Sequence, residues 1–276
     1  MIALPLICVP LYETKKGASF LTKSKTDQLS SVTNALRILE QFSNTRTVIY
    51  VSQLAKELDL SKSTVSRLVR TLENQNFLSR DTQSQGYRLG NKLLTIAGIL
   101  ANTNEIYREV GPVLSEIVQK TNESAQIAAI DGTDVFYIHK MSGPYYSDIN
   151  TQIGMKNPIH ATSTGKVLLA YSNESIIEEA IHQPLQAFTE HTITNSIQLK
   201  KELSKVRSQG YSFSVEELTE GNYSLAFPVW NYQNRVVCAL SIVGPLSRMN
   251  KDKLKEFMRI LRQGAQEASE RLGYDG

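Results

Sequence analysis

The stretch Ser61-Lys62-Ser63-Thr64-Val65-Ser66-Arg67-Leu68-Val69-Arg70-Thr71-Leu72 decides how the N-terminal part of this chain is read. Val65, Leu68, Val69 and Leu72 recur at the spacing of one helical face, which assigns them to a core. Lys62, Ser63, Thr64, Ser66, Arg67 and Arg70 are left on or beside the outer side. Ser61 stands at the N-cap position, where a hydroxyl accepts from an otherwise unpaired amide of the first turn. Basic residues and small hydroxyls on one side of a short helix suit phosphates and base edges. They suit the solvated face of a protein-interaction module as well, and the flanking sequence has to separate the two.

Upstream, Val51, Leu54, Ala55 and Leu58 mark a second amphipathic helix starting near Ser52, joined to the first through the tight connection Asp59-Leu60. Thr47-Val48-Ile49-Tyr50 reads as a small strand. Leu29 to Phe42 reads as an earlier helix with Val32, Ala35, Leu36, Ile38 and Leu39 on one face. Downstream, Phe77-Leu78-Ser79-Arg80 and Tyr87-Arg88-Leu89 flank the polar turn Asp81-Thr82-Gln83-Ser84-Gln85-Gly86, the pattern of a hairpin. This succession predicts a winged helix-turn-helix over residues 27–90, with the Ser61 helix in the major groove of double-stranded operator DNA. Arg67 is expected to read a base edge, and Lys62, Arg70 and the wing residues Arg80 and Arg88 to meet phosphate.

Charge agrees with that placement. Residues 1–104 carry 13 Lys and Arg against 7 Asp and Glu, while the remaining residues carry 17 against 20. A polyanion partner belongs at the basic end. The two cysteines, Cys8 and Cys238, have no Cys or His nearby at metal-ligand spacing, which argues against a disulfide framework or structural zinc and fits a reducing, cytoplasmic setting. The apolar opening from Met1 to Leu11 is interrupted by Pro5 and Pro10, with Lys15 and Lys16 after it. It reads as neither membrane span nor secretory signal, and residues 1–26 are taken as a tail.

Residues 91–104 form a strongly apolar helix carrying Leu93, Leu94, Ile96, Ala97, Ile99 and Leu100. It is read as a linker whose apolar surface is covered in a dimer, with Leu93, Ile96 and Leu100 as the contact. A helix from Glu105 to Lys120 then opens a larger domain, residues 105–276. Ala125 to Ile130 and Val135 to Ile138 bracket Asp131-Gly132-Thr133-Asp134 as a hairpin, and further strands are expected at 211–216, 224–230 and 235–243. Helices are expected at 164–171, 174–180, 196–209 and from Lys251 towards Leu272. The whole is an α+β protein of two domains, the second an antiparallel sheet with helices.

The chain resembles the IclR family of transcription regulators from about Asp27 onward. The resemblance is carried by Asn34-Ala35-Leu36-Arg37-Ile38-Leu39-Glu40, Ser61 to Leu68, Gly86-Tyr87-Arg88-Leu89-Gly90, Pro158-Ile159-His160-Ala161-Thr162-Ser163-Thr164-Gly165-Lys166-Val167-Leu168-Leu169-Ala170, Gly210-Tyr211-Ser212-Phe213 and Ala239-Leu240-Ser241-Ile242-Val243-Gly244-Pro245. It implies a DNA-binding domain, a linker helix and a GAF-like effector-binding domain. It also implies repression as the sign of regulation and a homodimer, or a tetramer on DNA.

Within the stretch from Pro158 to Ala170, Gly165 permits close backbone approach, and the amides around Ser163 and Thr164 are placed to hold a carboxylate or carbonyl group at a helix start. A helix cap without a ligand explains the same residues. The resemblance adds His160, and completes the pocket with Ser214, Ser224, Ser241 and Val243. Ser214 stands where relatives that bind small organic acids can carry an acidic residue, Ser224 where they can carry a cysteine, and Val243 where they can carry a serine. Val243 is expected to make one wall less polar, favouring a ligand with a polar head and an apolar portion over a dicarboxylate.

Catalytic readings find less support. Ser163-Thr164-Gly165-Lys166 has the end of a phosphate-binding loop, but His160 occupies the earlier glycine position. Asp131, Gly132 and Asp134 lack the other ligands of a calcium loop. His139, His160, His182 and His191 have no compact metal spacing, and no metal or other cofactor is expected. Two alternatives remain for the larger domain: an enzyme acting on a small molecule, and a module serving only oligomerisation or protein interaction.

Overall fold

The computed structural model describes residues 29–144 and 151–276. The tail read over residues 1–26, with Cys8, lies outside the described residues. The chain divides into two compact units between Ala97 and Gly98.

In the first unit, α1 (Ser30–Leu39), α2 (Val51–Glu57) and α3 (Lys62–Asn74) precede a hairpin of β1 (Leu78–Arg80) and β2 (Tyr87–Leu89). Ile38, Ile49, Leu54, Leu58, Val65, Val69 and Leu78 make its core. The helical periodicity of α3 holds, with Val65 and Val69 fully buried and Leu68 and Leu72 half-buried. Ser61 caps it, its Oγ accepting from the Thr64 amide at 3.2 Å. Two expectations are corrected. The first helix closes at Leu39, and of its apolar positions only Ile38 is buried, while Val32 and Leu36 stand exposed. Thr47–Tyr50 forms no strand of its own. Ile49 alone bridges Tyr87, by amide-to-carbonyl bonds of 3.0 and 2.9 Å, before Tyr50 becomes the N-cap of α2.

Helix α4 (Lys92–Thr103) crosses the division between the units, and none of its residues is buried. The second unit continues with α5 (Glu105–Thr121), the hairpin β3 (Ser124–Asp131) and β4 (Asp134–Met141), and a short strand β5 (Lys156–Pro158) that periodicity did not anticipate. Helices α6 (Ser163–Ala170), α7 (Glu174–His182) and α8 (Ser196–Gln209) follow, then β6 (Ser212–Val215), β7 (Asn222–Trp230), β8 (Val236–Pro245) and α9 (Lys251–Arg271). The sheet is antiparallel throughout, in the order β5-β4-β3-β8-β7-β6.

Strand alternation divides its side chains between two cores. Ile127, Leu225, Leu240 and Ile242 face α5 and α9, while Ala128, Ala226 and Ala239 face α6, α7 and α8. The small residues on the second face let α6 lie close to the sheet. Asparagine caps hold several of these helices, with Asn104, Asn173 and Asn195 accepting amide bonds of 2.9 to 3.1 Å.

Candidate functional site

The first candidate surface is the outer side of α3. Lys62, Ser63, Ser66, Arg67 and Arg70 are exposed and Thr64 is half-buried. Ser61 Oγ lies 2.9 Å from both Ser63 Oγ and Thr64 Oγ1, so the cap that starts the helix also fixes the two hydroxyls of its first turn. Lys62, Arg67 and Arg70 take part in no ion pair among the described residues, so no described carboxylate compensates their charges.

The wing arginines are differently placed. Arg88 pairs with Asp81 at 3.0 Å, and Arg80 donates to Gln85 at 2.8 Å while lying over the Tyr87 ring. Bonds from the Ser84 hydroxyl, then from Arg88, hold the Asp81 carboxyl below the usual carboxylate range. Both arginines are exposed, but each is already engaged in shaping the turn. Gly86 is required there because a Cβ would meet Val48 Cγ1 at 2.3 Å.

The second candidate site is a cavity of about 230 Å³ in the second unit. Its floor follows from strand register. Ser214 pairs across to Ser224 and Ser224 to Val243, while Ser241 is flanked by Ala226 and Gln126. Residues in register share a face of the sheet, so these side chains converge. Ser163 and Thr164, at the start of α6, line the opposite side. Thr162 caps that helix, its Oγ1 accepting from the Gly165 amide at 3.0 Å, while the amides of Ser163 and Thr164 precede the first helical bond.

Two residues assigned to this site from the sequence lie elsewhere. His160 does not line the cavity; its Nε2 lies 3.0 Å from the Gln186 carbonyl oxygen and its ring packs on Phe188, which anchors the following loop. Gly165 is also outside the lining. A Cβ there would stand 2.1 Å from the Ile159 carbonyl oxygen, so the glycine serves helix packing.

The sequence reading missed Gln126, Tyr137, Asn157 and Glu217, which line the same space. Gln126 did leave a signal, as a polar residue inside the apolar run Ala125 to Ile130. Glu217 left none, because two of its partners, Lys166 and Thr192, are remote in sequence. Its Oε1 accepts from the buried ammonium of Lys166 and from Ser214 Oγ, and Thr192 Oγ1 donates to its backbone carbonyl at 2.6 Å. Burial pushes the Tyr137 phenol up, so the hydroxyl stays protonated as a donor or acceptor beside Thr164. Lys140, on the neighbouring β4, donates to the Thr151 carbonyl at 2.6 Å, and burial lowers its pKa.

Four lining residues carry a buried atom with no hydrogen-bond partner among the described residues: Gln126 Nε2, Ser163 Oγ, Glu217 Oε2 and Tyr223 Oη, the Tyr223 ring belonging to the core that faces α5 and α9. Val243 gives this wall an apolar patch beside these polar groups. No cluster of metal-ligating side chains occurs among the described residues, and no described helix is long and apolar enough to cross a membrane.

A winged helix-turn-helix in the first unit and, in the second, a cavity that carries buried polar groups are the parts of a DNA-binding transcription regulator with an effector-binding domain. Residues 31–82 match the IclR helix-turn-helix domain, and residues 99–270 match the bacterial transcriptional regulator IclR C-terminal domain. The chain is 31% identical to the HTH-type transcriptional regulator XynR of Escherichia coli K12 over 247 residues, 89% of this chain and 98% of that protein. It is 28% identical to the transcriptional repressor IclR of the same organism over 271 residues, 97% of this chain and 98% of that protein. Among solved structures it resembles an IclR transcriptional regulator from Alicyclobacillus acidocaldarius, with a TM-score of 0.79, 28% identity, and coverage of 89% of this chain and 100% of that one. This chain belongs to the IclR family of bacterial transcription regulators.

Proposed function

We propose that the chain is a cytoplasmic repressor that binds a roughly palindromic operator as a homodimer and changes its operator affinity when a small molecule occupies the cavity of the second unit. The observation that carries DNA reading is the uncompensated cationic side of α3, where Arg67 reads a base edge and Lys62 and Arg70 hold phosphates. Ser63, Thr64 and Ser66 supply short hydroxyl contacts, and Arg80 and Arg88 a weaker phosphate contribution from the wing.

The homodimer is supported by α4, where Leu94, Ile96, Ile99 and Leu100 are all exposed. Apolar groups concentrated in this way on one helix call for a covering surface. The cavity supports the effector reading through its unpartnered buried polar atoms, which a ligand satisfies. A ligand that binds one arrangement of the dimer better than another shifts operator affinity by that difference. The sign of regulation follows the relative named as a repressor.

Selection of genomic fragments by the purified chain tests the reading, followed by titration of the recovered operator with and without candidate ligands. Recovery of one palindromic motif whose affinity changes with ligand is the expected result. Sequence-independent binding would refute operator recognition, and an operator insensitive to every cavity ligand would refute effector control.

A further inference from the structure

We propose that Glu217 selects the effector by accepting a hydrogen bond from one of its hydroxyl groups, so that the cavity takes a hydroxylated monocarboxylate. This rests on the cavity being the effector site. The two oxygens of Glu217 are not equivalent. Oε1 is occupied by Lys166 Nζ and Ser214 Oγ, whereas Oε2 is buried on the cavity lining with no partner among the described residues. A carboxylate oxygen in an ion pair only accepts, so a ligand group facing Oε2 has to donate.

The other unpartnered groups ask for the opposite. Gln126 Nε2 is a donor, Ser163 Oγ can donate, and the amides of Ser163 and Thr164 precede the first helical bond of α6. Donors of this kind gather a carboxylate. One ligand that satisfies both sets carries a carboxylate and at least one hydroxyl. A plain alkanoate leaves Glu217 Oε2 without a donor, and a dicarboxylate sets a second negative charge in a cavity already lined by Glu216 and Glu217. The volume of about 230 Å³ restricts the ligand to a compact acid, since pockets for drug-sized molecules run to roughly 300–1,000 Å³.

Calorimetric titration of the full chain with two matched sets tests this: gluconate, hexanoate and adipate, and threonate, butanoate and succinate. In at least one set the hydroxylated acid is expected to bind about tenfold tighter than both partners, the factor that one well-made buried hydrogen bond supplies. Glu217→Gln is expected to narrow that preference. The comparison on the unaltered chain stands whether or not this variant folds.

Equal affinity within both sets, or no binding by any of the six acids, would overturn the role of Glu217. Val243→Phe, which fills the cavity, separates that failure from failure of the effector site itself. If unsubstituted acids bind the parent but not the folded Phe variant, the cavity is the site and only the hydroxyl reading falls. If a bound acid ignores the Phe variant, the effector assignment falls with it.

Discussion

Lys166 in α6 is buried against Glu217, 51 positions along the chain, so one ion pair ties the helix that opens on the cavity to the loop after β6. Removing one partner of a buried pair leaves the other charge without compensation, at a cost of about 3–5 kcal/mol. Lys166→Met is expected to lose that much stability in urea denaturation, and Lys166→Met with Glu217→Leu to recover most of it. Equal stability of the single and double variants would contradict a buried pair.

Arg67→Ala is expected to weaken operator binding by about 1–3 kcal/mol while leaving affinity for unrelated DNA nearly unchanged. Lys62→Ala and Arg70→Ala are expected to weaken both together and to flatten the salt dependence. Binding measured across a salt series on operator and random duplex distinguishes the roles. A folded Arg67→Ala variant that retains full discrimination would remove Arg67 from base reading.

Ser61→Ala removes a helix cap and the acceptor that orients Ser63 and Thr64. The expected loss is about 1 kcal/mol in the N-terminal unit, seen as faster amide exchange at the start of α3. Gly at the same position is expected to cost only a few tenths of that unit. Unchanged exchange at Thr64 in the Ala variant would show that the cap contributes nothing.

Ile96→Asp combined with Leu100→Asp is expected to shift sedimentation towards monomer and to weaken operator binding in parallel. Ile96 and Leu100 are 44% and 63% exposed, whereas Leu93, first read as part of the same contact, is half-covered within its own chain. Leu94 at 73% exposed is the stronger third position. An unaltered oligomer in the folded double variant would move the interface elsewhere.

Gly165→Ala places a methyl group against the Ile159 carbonyl, and either α6 or the preceding turn has to move. The expected cost is about 1–3 kcal/mol, with effector affinity reduced through displacement of the Ser163 and Thr164 amides. Equal thermal stability of parent and variant would show that this contact is slack.

Most of the architecture was legible because local chemistry and periodicity agree with the final packing. Val65 and Val69 at helical spacing, Ser61 ahead of them, and the polar turn before Tyr87 define a helix-turn-helix and wing without reference to distant residues. The later strands were found because alternating positions such as Leu240 and Ser241 go to opposite faces of the sheet. Short β5 escaped notice, since three residues have no measurable period.

What local sequence could not decide was which polar residues come together. Ser214, Ser224 and Ser241 were placed by resemblance and meet through strand register, but His160 and Gly165, from the same segment as Ser163 and Thr164, turn to the Gln186 and Ile159 carbonyls. The sequence alone determined most of the elements, their order and the basic face of α3, because those depend on neighbours a few positions apart. Only tertiary structure decided that Gln126, Ser163 and Glu217 share one cavity and that Lys166 is buried against Glu217, because hydrogen bonding and charge compensation there depend on residues brought together from distant parts of the chain.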